Sequence, residues 1–198
     1  MGAVSKLRRS YVHALGECRA LYRHSLAPRA LHTEAGVEAA FLQMYKAWEA
    51  LQEECTIAFL SGRLRADGRI VACGTRTRDE HIARTLIYQD RDYILWTNVD
   101  EVVRRWTRIF GDPNLLVAAI RPATTELKQM ATIRNVIAHS SVLANRKFYV
   151  LTQGQIGGRP AINRAAGFLS SSFPADPART FFDRYADVLE VVGTDLTG

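Results

Sequence analysis

The stretch AFLQMYKAWEALQEECTIAFLSG, residues 40–62, decides the fold class. With Val37 before it, apolar side chains recur at Val37, Phe41, Met44, Trp48, Leu51, Cys55 and Ala58. Steps of three and four residues place them on one face of a helix about six turns long. Gly62 and then Asp67-Gly68 supply the turn chemistry that stops it.

Outward from this helix the same period repeats. Leu7, Tyr11, Ala14, Leu15, Cys18, Leu21 and Tyr22 form an earlier stripe, interrupted at Pro28. Thr77-Arg-Asp-Glu80 reads as a capping box at the start of a helix carrying Ile82 and Leu86. Val99, Val102, Val103, Trp106, Ile109 and Phe110 make a short amphipathic helix, ended by Gly111-Asp-Pro113. Leu127, Met130, Ile133 and Ile137 form the core stripe of the next. Beyond it, GQIGGRP and SSSFPADP are rich in Gly, Ser and Pro and read as loop. KFYVLTQ, residues 147–153, suits a short strand or a helix equally, and the final stretch PARTFFDRYADVLEVVGTDL reads as a helix begun by Pro177. The pattern predicts one all-α domain over 1–198, a bundle of five or six helices with a loop-rich C-terminal segment.

Composition narrows the function classes. At 198 residues, with 47% hydrophobic residues, net charge +6 and pI near 9.5, the chain describes a soluble protein that favours anionic partners. No run reaches the roughly 18 apolar residues of a membrane span. The N-terminus lacks a signal peptide's apolar core and has Lys6 where myristoylation wants Ser or Thr, so a cytoplasmic protein is expected. Cys18, Cys55 and Cys73 are odd in number and have no C-x-x-C spacing, which argues for a reducing compartment and against zinc; Cys18 and Cys55 lie on apolar stripes and are expected in the core. His13, His24, His32 and His81 have no partner at H-x-x-x-H spacing, so neither a metal nor a cofactor is expected.

The polar residues of the segment 124–148 stand out. At about 100° per residue Asn135 and His139 fall almost in line, opposite the Leu127–Ile137 stripe, and Lys128 and Thr132 share their outward face. Arg134 lies roughly 140° round from the histidine, so only its long forked side chain brings a guanidinium to the imidazole or to a shared phosphate. By spacing alone an arginine, an asparagine and a histidine on a helix need no function.

The run IRNVIAHSS resembles the signature of the HEPN superfamily, all-helical domains marked by R-x-x-x-x-H, often with Asn after the arginine and Ala before the histidine; Arg134, Asn135, Ala138 and His139 match it. The 40–62 helix resembles the long second helix of such proteins, and AGFLSSSF followed by FFDRYADVLEVV resembles the tail of HEPN nuclease-like families of prokaryotic toxin and antiphage systems. The resemblance implies a metal-independent endoribonuclease with its active site shared across a homodimer. Arg134, Asn135 and His139 would be catalytic, and an antitoxin or defence-system protein would be a further partner. Lys128, Arg146 and Lys147 are candidates to hold RNA phosphates, and Tyr45, Glu49 and Glu53 to add a polar group to the site. Trp48 and Trp106 lie on apolar stripes and read as core. Ser141 stands where toxins controlled by a nucleotidyltransferase antitoxin carry a modified tyrosine, which argues against that control. The competing readings are a HEPN module that binds RNA, a nucleotide or a partner protein without cutting, and a helical scaffold whose polar face is a subunit contact.

Overall fold

A computed structural model describes residues 3–27, 33–61, 77, 79–88, 95–139, 141–157 and 164–198. The Cys73 expectation and the turns at Pro28, Gly62 and Asp67-Gly68 lie outside them. The described chain runs α1 (Ala3–Ser25), α2 (Thr33–Leu60), α3 (Glu80–Tyr88), α4 (Val99–Phe110), α5 (Leu115–Ile120), a 3-10 turn at Arg121–Ala123, α6 (Thr124–Ala138), α7 (Val142–Ile156), α8 (Ala165–Ser170), an antiparallel hairpin of β1 (Ser172–Phe173) and β2 (Asp176–Thr180), and α9 (Phe181–Thr197). The all-α class is correct, with more segments than the five or six expected. Two of the additions, α5 and α8, are six residues each, too short to display a period. The third, α7, resolves KFYVLTQ as helix.

Two expected starts are corrected. Asp79 caps α3: its carboxylate accepts from His81 N at 2.7 Å and Ile82 N at 3.4 Å, while Thr77 Oγ1 accepts from Asp79 N at 3.0 Å. A carboxylate at the cap meets both free amides and the helix dipole, which a threonine two residues earlier does not. Pro177 lies in β2, and α9 starts at Phe181 instead. There Thr180 Oγ1 accepts from Asp183 N at 3.2 Å and Asp183 Oδ2 accepts from Thr180 N at 3.1 Å, a reciprocal cap.

The residues group into two compact units. One comprises Met1–His13, Ala47–Thr124 and Glu190–Gly198. Its core holds Trp48, Leu51, Cys55, Phe59 and Trp106, all at most 4% exposed. Trp106 Nε1 donates to Thr56 Oγ1 at 2.8 Å, and Thr56 donates to Gln52 O at 2.6 Å, so the indole N–H is satisfied in the core. Gly193 lets α9 approach closely, because a Cβ there would run into the Tyr11 ring and reach 3.1 Å from Leu51 Cδ2. At its edge Arg84 bonds Glu53 and Glu54 at 2.8 Å each, and Tyr88 Oη donates to Glu53 at 2.8 Å. Burial and that bond push the Tyr88 phenol up to about 12.

The other unit comprises Ala14–Lys46 and Thr125–Leu189. Its core is aromatic: Phe168 stacks on Phe181 with centroids 4.3 Å apart, Phe148 meets Phe168 edge-on at 5.9 Å, and Tyr22 stacks on Phe182 at 4.0 Å. Such rings bury large areas and add a further ~0.5–1.5 kcal/mol per pair. Leu127, Met130 and Ile133 of α6 are buried, as their stripe predicts, and fix which side of α6 faces outward; Ile137, expected with them, is only half-buried because the helix ends one residue later, at Ala138. Tyr185 Oη donates to Gln129 Oε1 at 3.0 Å and Arg184 pairs with Glu126 at 2.7 Å, fastening α9 to the start of α6. Cys18 and Cys55 are buried free thiols, and Trp48 and Trp106 are core, as expected. Among the described residues no helix is long and apolar enough to cross a membrane.

Candidate active site

The last turn of α6 carries the site. Its helix ends at Ala138, yet His139 N still donates to Asn135 O at 2.9 Å, so the asparagine and histidine remain aligned through the backbone. The chain then turns at once: Ser141 N donates to His139 O at 2.8 Å, and Ser141 Oγ accepts from Ala144 N at 3.1 Å to cap α7. His139 therefore sits between two helix ends.

Arg134 makes the reach that its angular position demands. Its stem is half-buried beside the core stripe, and Nη1 lies 3.4 Å from both Asn135 Oδ1 and His139 Nε2. Asn135 and His139 are exposed. A guanidinium can only donate, so the contact requires an imidazole with its proton on Nδ1 and a lone pair on Nε2. At 3.4 Å both bonds are long, and an incoming acceptor can exchange for them at little cost. A basic fork, an amide and an imidazole thus converge where solvent and a ligand reach them.

The neighbouring candidates separate. Arg146 and Lys147 are exposed on α7 and line a groove of about 410 Å³ with Thr132, Leu143, Val150 and Leu151. Thr132 is one turn before Asn135, which brings this basic groove alongside the motif. Lys128 is exposed one turn earlier on α6 and is not part of the groove lining. Tyr45 is 1% exposed within the aromatic core, so it has no solvent-facing hydroxyl to offer. Glu53 is engaged by Arg84 and Tyr88, and Glu49 also has partners. Among the described residues no three His, Cys, Asp or Glu side chains group as a metal site.

Two features were missed from the sequence. Ser141 is the cap that positions His139; a serine directly before the apolar pair Val142-Leu143 was the available signal. The start of α2 also matters: Glu34 and Glu38 line a second groove, of about 370 Å³, with Val136 and Ile137 of the motif turn, Asn145 of α7 and Arg164. Their four-residue spacing was visible, but nothing local links residue 38 to residue 137.

No family model, curated protein or solved structure matches this chain.

Proposed function

We propose that the protein is a metal-independent endoribonuclease of the HEPN type, acting as a homodimer with the motif turns of both copies at one composite site, in the role of a toxin or defence effector. The observation that carries this reading is the exposed contact of Arg134 with His139 and Asn135. The Arg146 and Lys147 groove beside it offers cations to the RNA backbone.

In the proposed reaction an RNA phosphate draws the Arg134 guanidinium off the imidazole and takes its donors. This frees Nε2 of His139 to accept the proton of the 2′-hydroxyl as that oxygen attacks the adjoining phosphorus. Arg134 neutralises the charge growing on the non-bridging oxygens. The P–O5′ bond breaks, and the departing 5′-oxygen takes a proton from the imidazolium, leaving a 2′,3′-cyclic phosphate and a 5′-hydroxyl. Asn135 holds the guanidinium or the substrate backbone.

The dimer draws support from α7. Val142 is 87% exposed and Tyr149 52%, two turns apart on one side of α7 and outside the groove lining, an apolar strip that begins three residues after His139. Large apolar side chains concentrated in this way mark a docking surface.

The test is incubation of the purified protein with structured RNA in chelator, followed by analysis of the ends. Cyclic phosphate ends, lost in Arg134→Ala and His139→Ala, are the expected result. Cleavage that survives both substitutions, or that stops on chelation, overturns it; RNA binding without cleavage identifies a non-catalytic module instead.

A further inference from the structure

We propose that the groove between the start of α2 and the motif turn is a base-reading pocket that takes one guanine of the RNA, a specificity site resting on the ribonuclease reading. Its floor is Val136 and Ile137, which lie in sequence between Asn135 and His139, so pocket and reacting groups are borne on the same turn of α6. Its rim is Glu34, Glu38, Asn145 and Arg164. At about 370 Å³ it has room for a purine base with its ribose.

Charge makes this groove a poorer place for the RNA backbone than the basic one beside it. Among the described residues two carboxylates against one guanidinium leave the rim at a net −1, which disfavours phosphate, whereas the Arg146 and Lys147 groove attracts it. The two grooves thus sort a strand into base and backbone. Glu34 is held by Arg164, while Glu38 is half-buried and has no hydrogen-bond or ion-pair partner among the described residues. A carboxylate that has surrendered part of its hydration without gaining a donor is primed for one. Asn145 Nδ2 spends one of its two N–H groups on Ser141 O at 3.0 Å, and its Oδ1 is left to accept. The rim is therefore rich in acceptors, with the Arg164 fork as its one charged donor.

Among the RNA bases, guanine alone presents two adjacent N–H groups, N1–H and the 2-amino group, on the edge that a carboxylate can take with both oxygens. It also offers O6 and N7 to an arginine fork. Adenine lacks an N1–H, uracil has one N–H flanked by carbonyls, and cytosine presents its amine beside an acceptor. Unpaired RNA bases are read on these edges while stacked against side chains. Here Glu38 takes N1–H and the 2-amino group, Arg164 takes O6 or N7, and Val136 and Ile137 cover a face of the ring.

The experiment titrates nucleosides, which carry no phosphate, into the full chain and follows amide and methyl resonances by NMR. Guanosine is expected to shift Val136 and Ile137. Inosine, which lacks the 2-amino group, should bind about tenfold more weakly, as the loss of one charge-assisted hydrogen bond requires, and adenosine, cytidine and uridine should not saturate. Glu38→Gln and Arg164→Gln should each weaken guanosine about tenfold or more, with folding checked by circular dichroism. Equal binding of all nucleosides, no shift at Val136 and Ile137, or wild-type affinity in both variants overturns the proposal. Sequencing of cut ends separates the two readings. RNA cleaved with no guanine at a fixed offset removes the pocket and leaves the nuclease; guanosine bound selectively by a protein that cuts no RNA keeps the pocket and removes the nuclease.

Discussion

Arg134→Met separates chemistry from architecture at the motif turn. Methionine keeps the unbranched stem against the α6 stripe and deletes the fork. The fork's two contacts, at 3.4 Å to Asn135 Oδ1 and His139 Nε2, are long and solvent-exposed. Their loss costs about 0.5 kcal/mol or less, as expected for a surface substitution away from caps and core. For a chain of this length that is a fall in Tm of about 2 °C or less. The expected effect on the proposed reaction is far larger, since deleting one donor to a developing oxyanion typically costs about 10²–10³ in kcat, or roughly 2.7–4 kcal/mol. Arg134→Lys keeps a charge without the fork and should fall between Met and wild type. The assay is single-turnover cleavage of a labelled RNA in chelator, run beside a thermal melt of the same preparations. A loss of rate below about threefold, or a Tm that drops by about 8 °C alongside the activity, would refute the reasoning.

Other substitutions test the frame. Thr56→Val leaves the Trp106 indole N–H without its 2.8 Å acceptor in the core and should cost about 1–3 kcal/mol in urea unfolding, whereas Thr56→Ser, which keeps the hydroxyl, should cost less. Gly193→Ala forces a methyl into the Tyr11 ring and should destabilise by about 1–3 kcal/mol; a Tm equal to wild type would show that α9 can shift away. The folded state holds the Tyr88 proton more tightly than the unfolded chain, with the phenol raised from 10.0 to about 12. Its contribution is therefore intact below about pH 10 and is lost as pH rises toward 12, so Tyr88→Phe should flatten part of the alkaline fall in urea midpoint. Val142→Glu places a charge on the exposed α7 strip outside the basic groove and should make the proposed dimer a monomer by light scattering; a dimer unaltered by it would move the interface elsewhere.

The legible parts of the fold were those in which burial writes a period into the chain. The Val37–Ala58 stripe and the Leu127–Ile133 stripe both face a core, and both helices stand where expected. The helix α7 was ambiguous for the converse reason. Val142, Leu143, Tyr149 and Val150 are exposed, so its apolar residues mark no inner face, and its β-branched and aromatic content imitates a strand. Helix starts were read from single residues, yet α3 and α9 were decided by which oxygen reaches the free amides, a matter of geometry. At the site, spacing showed the arginine's need to reach across the helix, while the choice of Arg134, Asn135 and His139 rested on the resemblance of their motif. The Glu38 groove could not, because a hundred residues separate its walls.

The single residue between His139 and the Ser141 cap carries a consequence for control. The His139 backbone is bonded at both sides, to Asn135 O before it and by Ser141 N after it, so the ring is carried by two helix ends, and the second opens a helix with exposed apolar side chains. On the proposed homodimer reading, pairing of copies sets the number of working centres, and below the pairing threshold their number grows with the square of abundance. Halving the supply of chain would quarter the output, so the rate of synthesis would itself serve as a throttle without any dedicated inhibitor.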